Sequence, residues 1–444
     1  MEKYIKNTRL VRYSLLAMML ILFLMQGCLK KEYMPPQVGA QIPYAETVTV
    51  RFRDALSESA HTVFYQAWQR SHIDEILGTI GDSKTKYTIL VPDNAALQAA
   101  GWTMSSVNAA SIEALDTLMM KHVFRNRITP EELHDKAGNY QAVSMLDLPT
   151  LRYTADNKTY YFRVGLSYDG DALWVNGKPS GNTTPIPAVD GYIWPIKHVL
   201  EVPVKTAWEV IRSDNRFSLY VSLLHYTDSA YKALFEAANG HPPAAGHIAE
   251  QAYDRNSPLY YGMDYHPPVT GNIPYVENPN TWFIPTNEAF QQAGFHTLED
   301  LVAWNESRNP PWAEWVSNPG TGLTPYYRLV GDFATDTLLD YHHNWGMRIA
   351  SYEFTRERNA TLFFSNDLQQ ELLANYPVTA YTEITYGYYY PQRGTTNFYF
   401  MPFVFPGNNQ IRVKGASGPA ATLIDKDINT LNGVIHAVDR LLLP

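Results

Sequence analysis

Two stretches of this 444-residue chain are near copies of each other, and that duplication constrains the fold more than any other feature. "TILVPDNAALQAAGW" occupies residues 88–102 and "TWFIPTNEAFQQAGF" residues 281–295. They align without a gap, with Thr, Pro, Asn, Ala, Gln, Ala and Gly identical. Two further blocks repeat in the same order. "DTLMMKH" (116–122) pairs with "DTLLDYH" (336–342), and "DGYIWPIKHVLEVP" (190–203) pairs with "NGVIHAVDRLLLP" (432–444). A chain of this length suits more than one core. The shared block order means one globular unit present twice, over residues 46–203 and 204–444.

Each block carries its own local physics. Residues 281–284 are β-branched and aromatic, a buried-strand composition. Pro285 cannot donate a ladder hydrogen bond, so the strand stops there. Thr286, or Asp93 in the first copy, is placed to cap a following helix, and Glu288 suits the positive end of its dipole. Ala289, Phe290 and Ala293 give that helix an apolar side, and Gly294 ends it. The retained Asn94 and Asn287 have no core role by composition. Their amides are expected to tie the turn to a neighbouring loop through backbone hydrogen bonds. Ile112, Leu115, Leu118, Met119 and Val123 recur at helical spacing. The closing block alternates as a strand, with Val434, His436 and Val438 on one side and Ile435 and Ala437 on the other.

The second copy is the larger. Its gains fall in "SRNPPWAEWVSNPGTGLTP", in "TYGYYYPQRGTTNFYFMPFVFPG" and in the segment before Thr281, which includes "NGHPPAAGH" and "NSPLYYGMDYHPPVTGN". Such enlarged loops commonly carry function.

The order of strand, "PTNEAF" helix, helix ending in "YH" and closing "NGVIHAVDRLLLP" resembles the fasciclin domain family. "YTILVPDNAAL" and "MMKHVFRNRITPEEL" fit the same pattern in the first copy. The resemblance spans roughly residues 46–444. It implies an α+β fold of two tandem fasciclin-like domains, each a β-sandwich-like wedge with packed helices. It also implies extracellular adhesion or binding to proteins, glycans or matrix, with no shared catalytic mechanism. The family's Tyr-His pair, a receptor contact in some members, survives as Tyr341 and His342. In the first copy the tyrosine position is Lys121, and Trp194 and Lys197 stand where the second copy has His436 and Asp439. Any family-type contact is therefore expected in the second domain, with the first as a divergent copy or spacer. Tyr341 and His342 serve either helix packing or a contact surface.

The N-terminus reads as a leader. Lys3, Lys6, Arg9 and Arg12 precede the apolar run 15–25, too short to span a bilayer, which needs about 20 residues. The lone cysteine, Cys28, follows in "LMQGC", which resembles a bacterial lipobox, so residues 1–27 are expected to be removed and Cys28 lipidated. Residues 28–45 read as a tether. Loss of four positive charges and one negative takes the formal charge from −9 to −12. An acidic body disfavours nucleic acid and anionic lipid. The expected location is the cell envelope, lipid-anchored at the outer membrane.

Reactive constellations are scarce. His342 and His343 are adjacent and would diverge by about 100° on a helix. His241, His247 and His266, with Asp264, lie in loops where imidazoles are usually solvated, so no metal or cofactor is expected. "DKDINTLNGVIH" (425–436) starts like a calcium loop but has Thr430 where the turn glycine belongs and His436 where a bidentate Glu belongs. His436, between valines of a strand, is expected to be a structural, hydrogen-bonded histidine. "GASGP" is not a nucleophile elbow. No enzyme is expected.

The densest aromatic segment runs from Tyr386 to Phe405. Its exposed candidates are Tyr388 and Tyr390, either facing solvent for a sugar or protein, or packed over an enlarged core. The chain thus reads as a non-enzymatic envelope lipoprotein that adheres or binds a surface or extracellular protein. The alternative is a glycan-binding accessory lipoprotein of an outer-membrane nutrient-uptake system, with polysaccharide as partner.

Overall fold

The repeated strand–proline–helix unit is built alike in both halves of the computed structural model, which describes residues 48–80, 85–134, 138–153, 158–169, 172–242, 263–265, 268, 271–276, 279–317, 325–343, 346–347, 362–369, 378–381, 397–399, 403–407, 410–415 and 417–443. In the first half, helices α1 (Phe52–Ser57), α2 (Thr62–Arg70) and α3 (Ile73–Ile80) lead to β1 (Tyr87–Pro92). Helices α4 (Asn94–Ala99), α5 (Met104–Ala109) and α6 (Ile112–His122) follow. Next come β2 (Val123–Phe124), α7 (Pro130–His134), β3 (Tyr140–Tyr153), β4 (Lys158–Asp169), β5 (Ala172–Val175), β6 (Lys178–Asn182), β7 (Ile186–Ala188) and the closing β8 (Gly191–Ile196).

The second half opens with α8 (Ala207–Ser213) and the 22-residue α9 (Ser218–Asn239). Strands β9 (Tyr275–Val276) and β10 (Asn280–Pro285) precede α10 (Asn287–Gln292) and α11 (Leu298–Glu306). A ribbon, β11 (Trp312–Val316) and β12 (Tyr326–Val330), comes before α12 (Ala334–His343). Then follow β13 (Gly346–Met347), β14 (Val378–Tyr381), β15 (Asn397–Tyr399), β16 (Phe403–Gly407), β17 (Gln410–Val413), β18 (Ala421–Thr430) and β19 (Gly433–Val438).

At the centre of each half lies one parallel pair. β1 pairs with β8, Thr88 opposite Tyr192, and β10 pairs with β19, Thr281 opposite Val434. The register is the same in repeat terms. An antiparallel strand flanks each closing strand, β7 on β8 and β18 on β19. The copies diverge outside this core. The first sheet runs β6-β5-β4-β3-β2-β1-β8-β7 and the second β10-β19-β18-β17-β16.

Parallel pairs are covered on both faces, so their strands read as apolar runs. β1 and β19 are buried throughout, and β10 is buried from Thr281 onward. In the first half Ile89, Val91 and Ile193 face the helical core with Phe64, Trp68 and Leu115, while Leu90, Trp194 and Ile196 face the strands with Leu166 and Val175. In the second, Trp282, Ile284, Ile435 and Ala437 meet the helices, and Phe283 and Val438 turn to Phe403 and Leu423. The alternation expected of residues 434–438 is therefore real, but both of its sides are interior.

Capping explains where the repeated helices begin. Asp93 accepts the Ala96 amide at 2.7 Å and Thr286 accepts the Ala289 amide at 3.4 Å. Gly101 and Gly294, just past the helix ends, sit at φ +83° and +91°, where a Cβ would be strained.

The halves keep separate interiors yet share a boundary. β9, from the second half, adds in parallel to β3 of the first, Arg152 opposite Tyr275. Leu146, Leu151, Tyr160 and Phe162 pack with Val276 and Leu431 across it. The Tyr160 hydroxyl donates to the Leu431 carbonyl at 2.6 Å. Asp367 accepts the Asn139 backbone amide at 2.7 Å and also its side-chain amide. Residues 48–443 thus hold together as one body, which is more than the spacer reading of the first copy anticipates.

Candidate functional site

The two repeated asparagines occupy equivalent places. Asn94 Oδ1 accepts the Val63 amide at 3.1 Å, and its Nδ2 donates to the Ala60 carbonyl and Thr62 hydroxyl at 2.9 and 3.1 Å. Asn287 Oδ1 accepts the Leu219 amide at 3.0 Å, and its Nδ2 donates to the Asn215 carbonyl and Ser218 hydroxyl at 2.9 and 3.0 Å. Each amide thus ties the start of one helix (α4 or α10) to the start of an earlier one (α2 or α9).

His436 is fully buried and lies parallel to the Phe283 ring, centroids 5.4 Å apart. Its Nε2 donates to the Phe363 carbonyl at 3.0 Å, and its Nδ1 accepts the Asp427 amide at 3.3 Å. Burial lowers its pKa, so the ring stays neutral. Thr281 completes the clamp by accepting the Phe363 amide at 2.8 Å. The first half substitutes one residue: Trp194 Nε1 donates to the Ile128 carbonyl at 3.1 Å, and Thr88 accepts the Ile128 amide at 2.7 Å. Trp194 and His436 differ chemically but deliver an N–H to the same carbonyl position.

Tyr341 and His342 do not form a surface. They are 2% and 1% exposed. Tyr341 packs with Phe283, Phe363 and Leu442. His342 Nδ1 donates to the Phe283 carbonyl at 2.7 Å, and its Nε2 accepts the Leu442 amide at 3.1 Å. The last turn of α12 faces β10, so both rings point into the core; the contact-surface alternative is corrected to helix packing. His343 is buried as well and meets the Tyr220 hydroxyl through Nε2. Lys121, at the divergent position, is partly desolvated, which lowers its pKa.

Tyr388, Tyr390 and Cys28 lie outside the described residues, as do His247 and His266. Of the same aromatic segment, Phe403 is buried against Phe283 and Phe363. Among the described residues no group of three His, Cys, Asp or Glu side chains could hold a metal ion.

Exposed aromatics stand elsewhere, on the β11–β12 ribbon. Trp312, Trp315 and Tyr327 remain 59%, 53% and 39% exposed. Trp315 lies opposite Tyr327 in register, rings 4.9 Å apart and tilted by 56°. The ribbon is held firmly. Asn239 at the end of α9 donates to the Tyr327 carbonyl at 2.9 Å and accepts its amide at 2.8 Å. Leu329 and Phe333 pack on Tyr231 and Phe235 of the same helix. Wide amphipathic rings left in water on a rigid support suit a partner surface. The sequence signal was present as two tryptophans in a loop gained only by the second copy, but nothing local distinguished them from core.

The family model for the Fasciclin domain matches residues 59–203. A search of curated proteins finds no match. Among solved structures, the chain is similar to a FAS1 domain pair from the insect cell adhesion molecule fasciclin I, with 14% identity and a TM-score of 0.27, covering 87% of this chain and 98% of that one. Residues 59–203 are thus similar to a fasciclin domain, and the second half repeats their parallel strand pair, asparagine tie and buried histidine.

Proposed function

We propose that this protein is a non-enzymatic, lipid-anchored protein of the cell envelope that adheres to, or binds, a protein partner through its second domain. The observation that carries this reading is the exposed trio Trp312, Trp315 and Tyr327, on a ribbon that only the second copy possesses. Fasciclin domains are associated with adhesion and protein binding, which supports the same class. The Cys28 lipid would anchor the chain and the fused pair would present the ribbon. Capture of an envelope protein by the mature chain should fall at least tenfold in W315A/Y327A, and unchanged capture would refute the ribbon's role. Cys28→Ser should release the protein from membranes; continued membrane retention contradicts the anchor.

A second reading, a glycan-binding accessory lipoprotein, is favoured by one detail. The neighbouring faces of Trp315 and Tyr327 suit the apolar face of a sugar ring. Polysaccharide retention in an affinity gel, lost in Trp315→Ala, separates this reading from the first.

A further inference from the structure

A cleft occurs at the same place in both copies, and its chemistry has changed between them. In the second domain it is a cavity of about 460 Å³ between α10, α11, α12 and the C-terminal segment, within the range usual for small-molecule sites. Phe295 and Trp304, edge to face at 5.6 Å, form one wall, and Leu338, Leu441 and Leu443 another. Arg308 and Arg440 complete the lining, both exposed. The Arg308 guanidinium lies 5.5 Å from the Trp304 ring centroid.

The first domain repeats the cleft with a volume of about 670 Å³, lined by Ala96, Trp102, Lys121, Lys197, His198 and Glu201 among others. In repeat terms Trp102 corresponds to Phe295, His198 to Arg440 and Glu201 to Leu443. There Glu201 supplies an internal anion: it pairs with Lys178 at 3.5 Å and counteracts the desolvation of Lys121 and His198. In the second domain a leucine replaces that acid, and a permanently charged arginine, Arg440, stands in place of His198. Among the described residues no carboxylate lines the cavity and neither arginine forms an ion pair. Asp439, beside Arg440, is occupied in accepting the Thr422 amide at 2.6 Å.

We propose that the second-domain cavity binds a small amphiphilic carboxylate, its apolar body against Phe295, Trp304, Leu338 and Leu443 and its anion between Arg308 and Arg440. The apolar floor supplies affinity, and the two guanidinium groups, without an acidic partner among the described residues, select the charge. This site is separate from the aromatic ribbon and does not depend on it.

The test uses the full mature chain with decanoate and decanol as probes, followed by calorimetry. Decanoate is expected to bind at least tenfold more tightly than decanol. R308Q/R440Q should bring decanoate to the decanol level, and Ala293→Trp, which fills the mouth from the exposed end of α10, should abolish both. A thermal melt of each variant confirms that it is folded, and W315A/Y327A should leave decanoate affinity unchanged. Equal binding of acid and alcohol, absence of decanoate binding at millimolar concentration, or decanoate binding that survives both cavity variants would overturn the proposal.

Discussion

The backbone amide of Leu442 donates to Nε2 of His342 at 3.1 Å, and the equivalent amide of Leu200 donates to His122 at the same distance in the first domain. Each ring also meets a carbonyl through Nδ1, that of Phe283 or Leu118. One nitrogen must accept and the other donate, so both rings are held neutral. Burial lowers the pKa of His122 to about 3 and that of His342 to about 4.

Stability should therefore fall on acidification. An unfolded histidine gains a proton near pH 6.5, whereas the folded rings resist it, so their contribution is complete above 6.5 and is lost as pH falls toward 4. Asp367 opposes this: burial pushes its carboxyl up to about 6, so its contribution is present at low pH and lost as pH rises through 6. Burial depresses His343 and His436 in the same direction, so with four histidines against this carboxyl urea midpoints should rise from pH 4.5 to 6.5. His342→Asn should be less stable at pH 7 and show a shallower rise.

Gly433→Ala should be among the most damaging single substitutions. A Cβ there would lie 2.0 Å from the Asn280 carbonyl oxygen, at φ +154°, and at Gly191 1.8 Å from that of Tyr87. The parallel strand cannot approach without this glycine. A loss of about 3 kcal/mol or more is expected by urea denaturation.

Asn287→Ala removes three hydrogen bonds at the start of α9 and should cost about 1–2 kcal/mol. Asn287→Asp, which keeps the acceptor for the Leu219 amide but loses both donations, should fall between alanine and the parent. The same order is expected at Asn94.

Asn139→Ala removes the side-chain amide that donates to Asp367 and Asn366 at the domain boundary, leaving only backbone amides on the buried carboxylate. A loss of about 1–3 kcal/mol is expected, and scanning calorimetry should resolve two transitions where the parent shows one. A single transition at the parental temperature would show that the halves are coupled elsewhere.

The duplication, the strand–proline–helix units, their caps and the asparagine ties were legible in the sequence because each depends on residues a few positions apart. Pro285 ends a strand and Thr286 caps a helix whatever surrounds them. Burial of Tyr341 and His342 was not legible, since a helical pair can face either way and only the docking of α12 on β10 chose. The exposure of Trp312 and Trp315 was hidden for the same reason: a tryptophan's type favours burial, and only the ribbon's position at the end of α9 leaves these rings in water. The cleft is further still from local rules. Its cations gain meaning only when α10, α11 and the C-terminal segment meet, and when the fold shows that Leu443 stands where the other copy places a carboxylate. Local sequence sets backbone conformation through short-range sterics and hydrogen bonds, whereas exposure and charge balance are properties of the assembled packing.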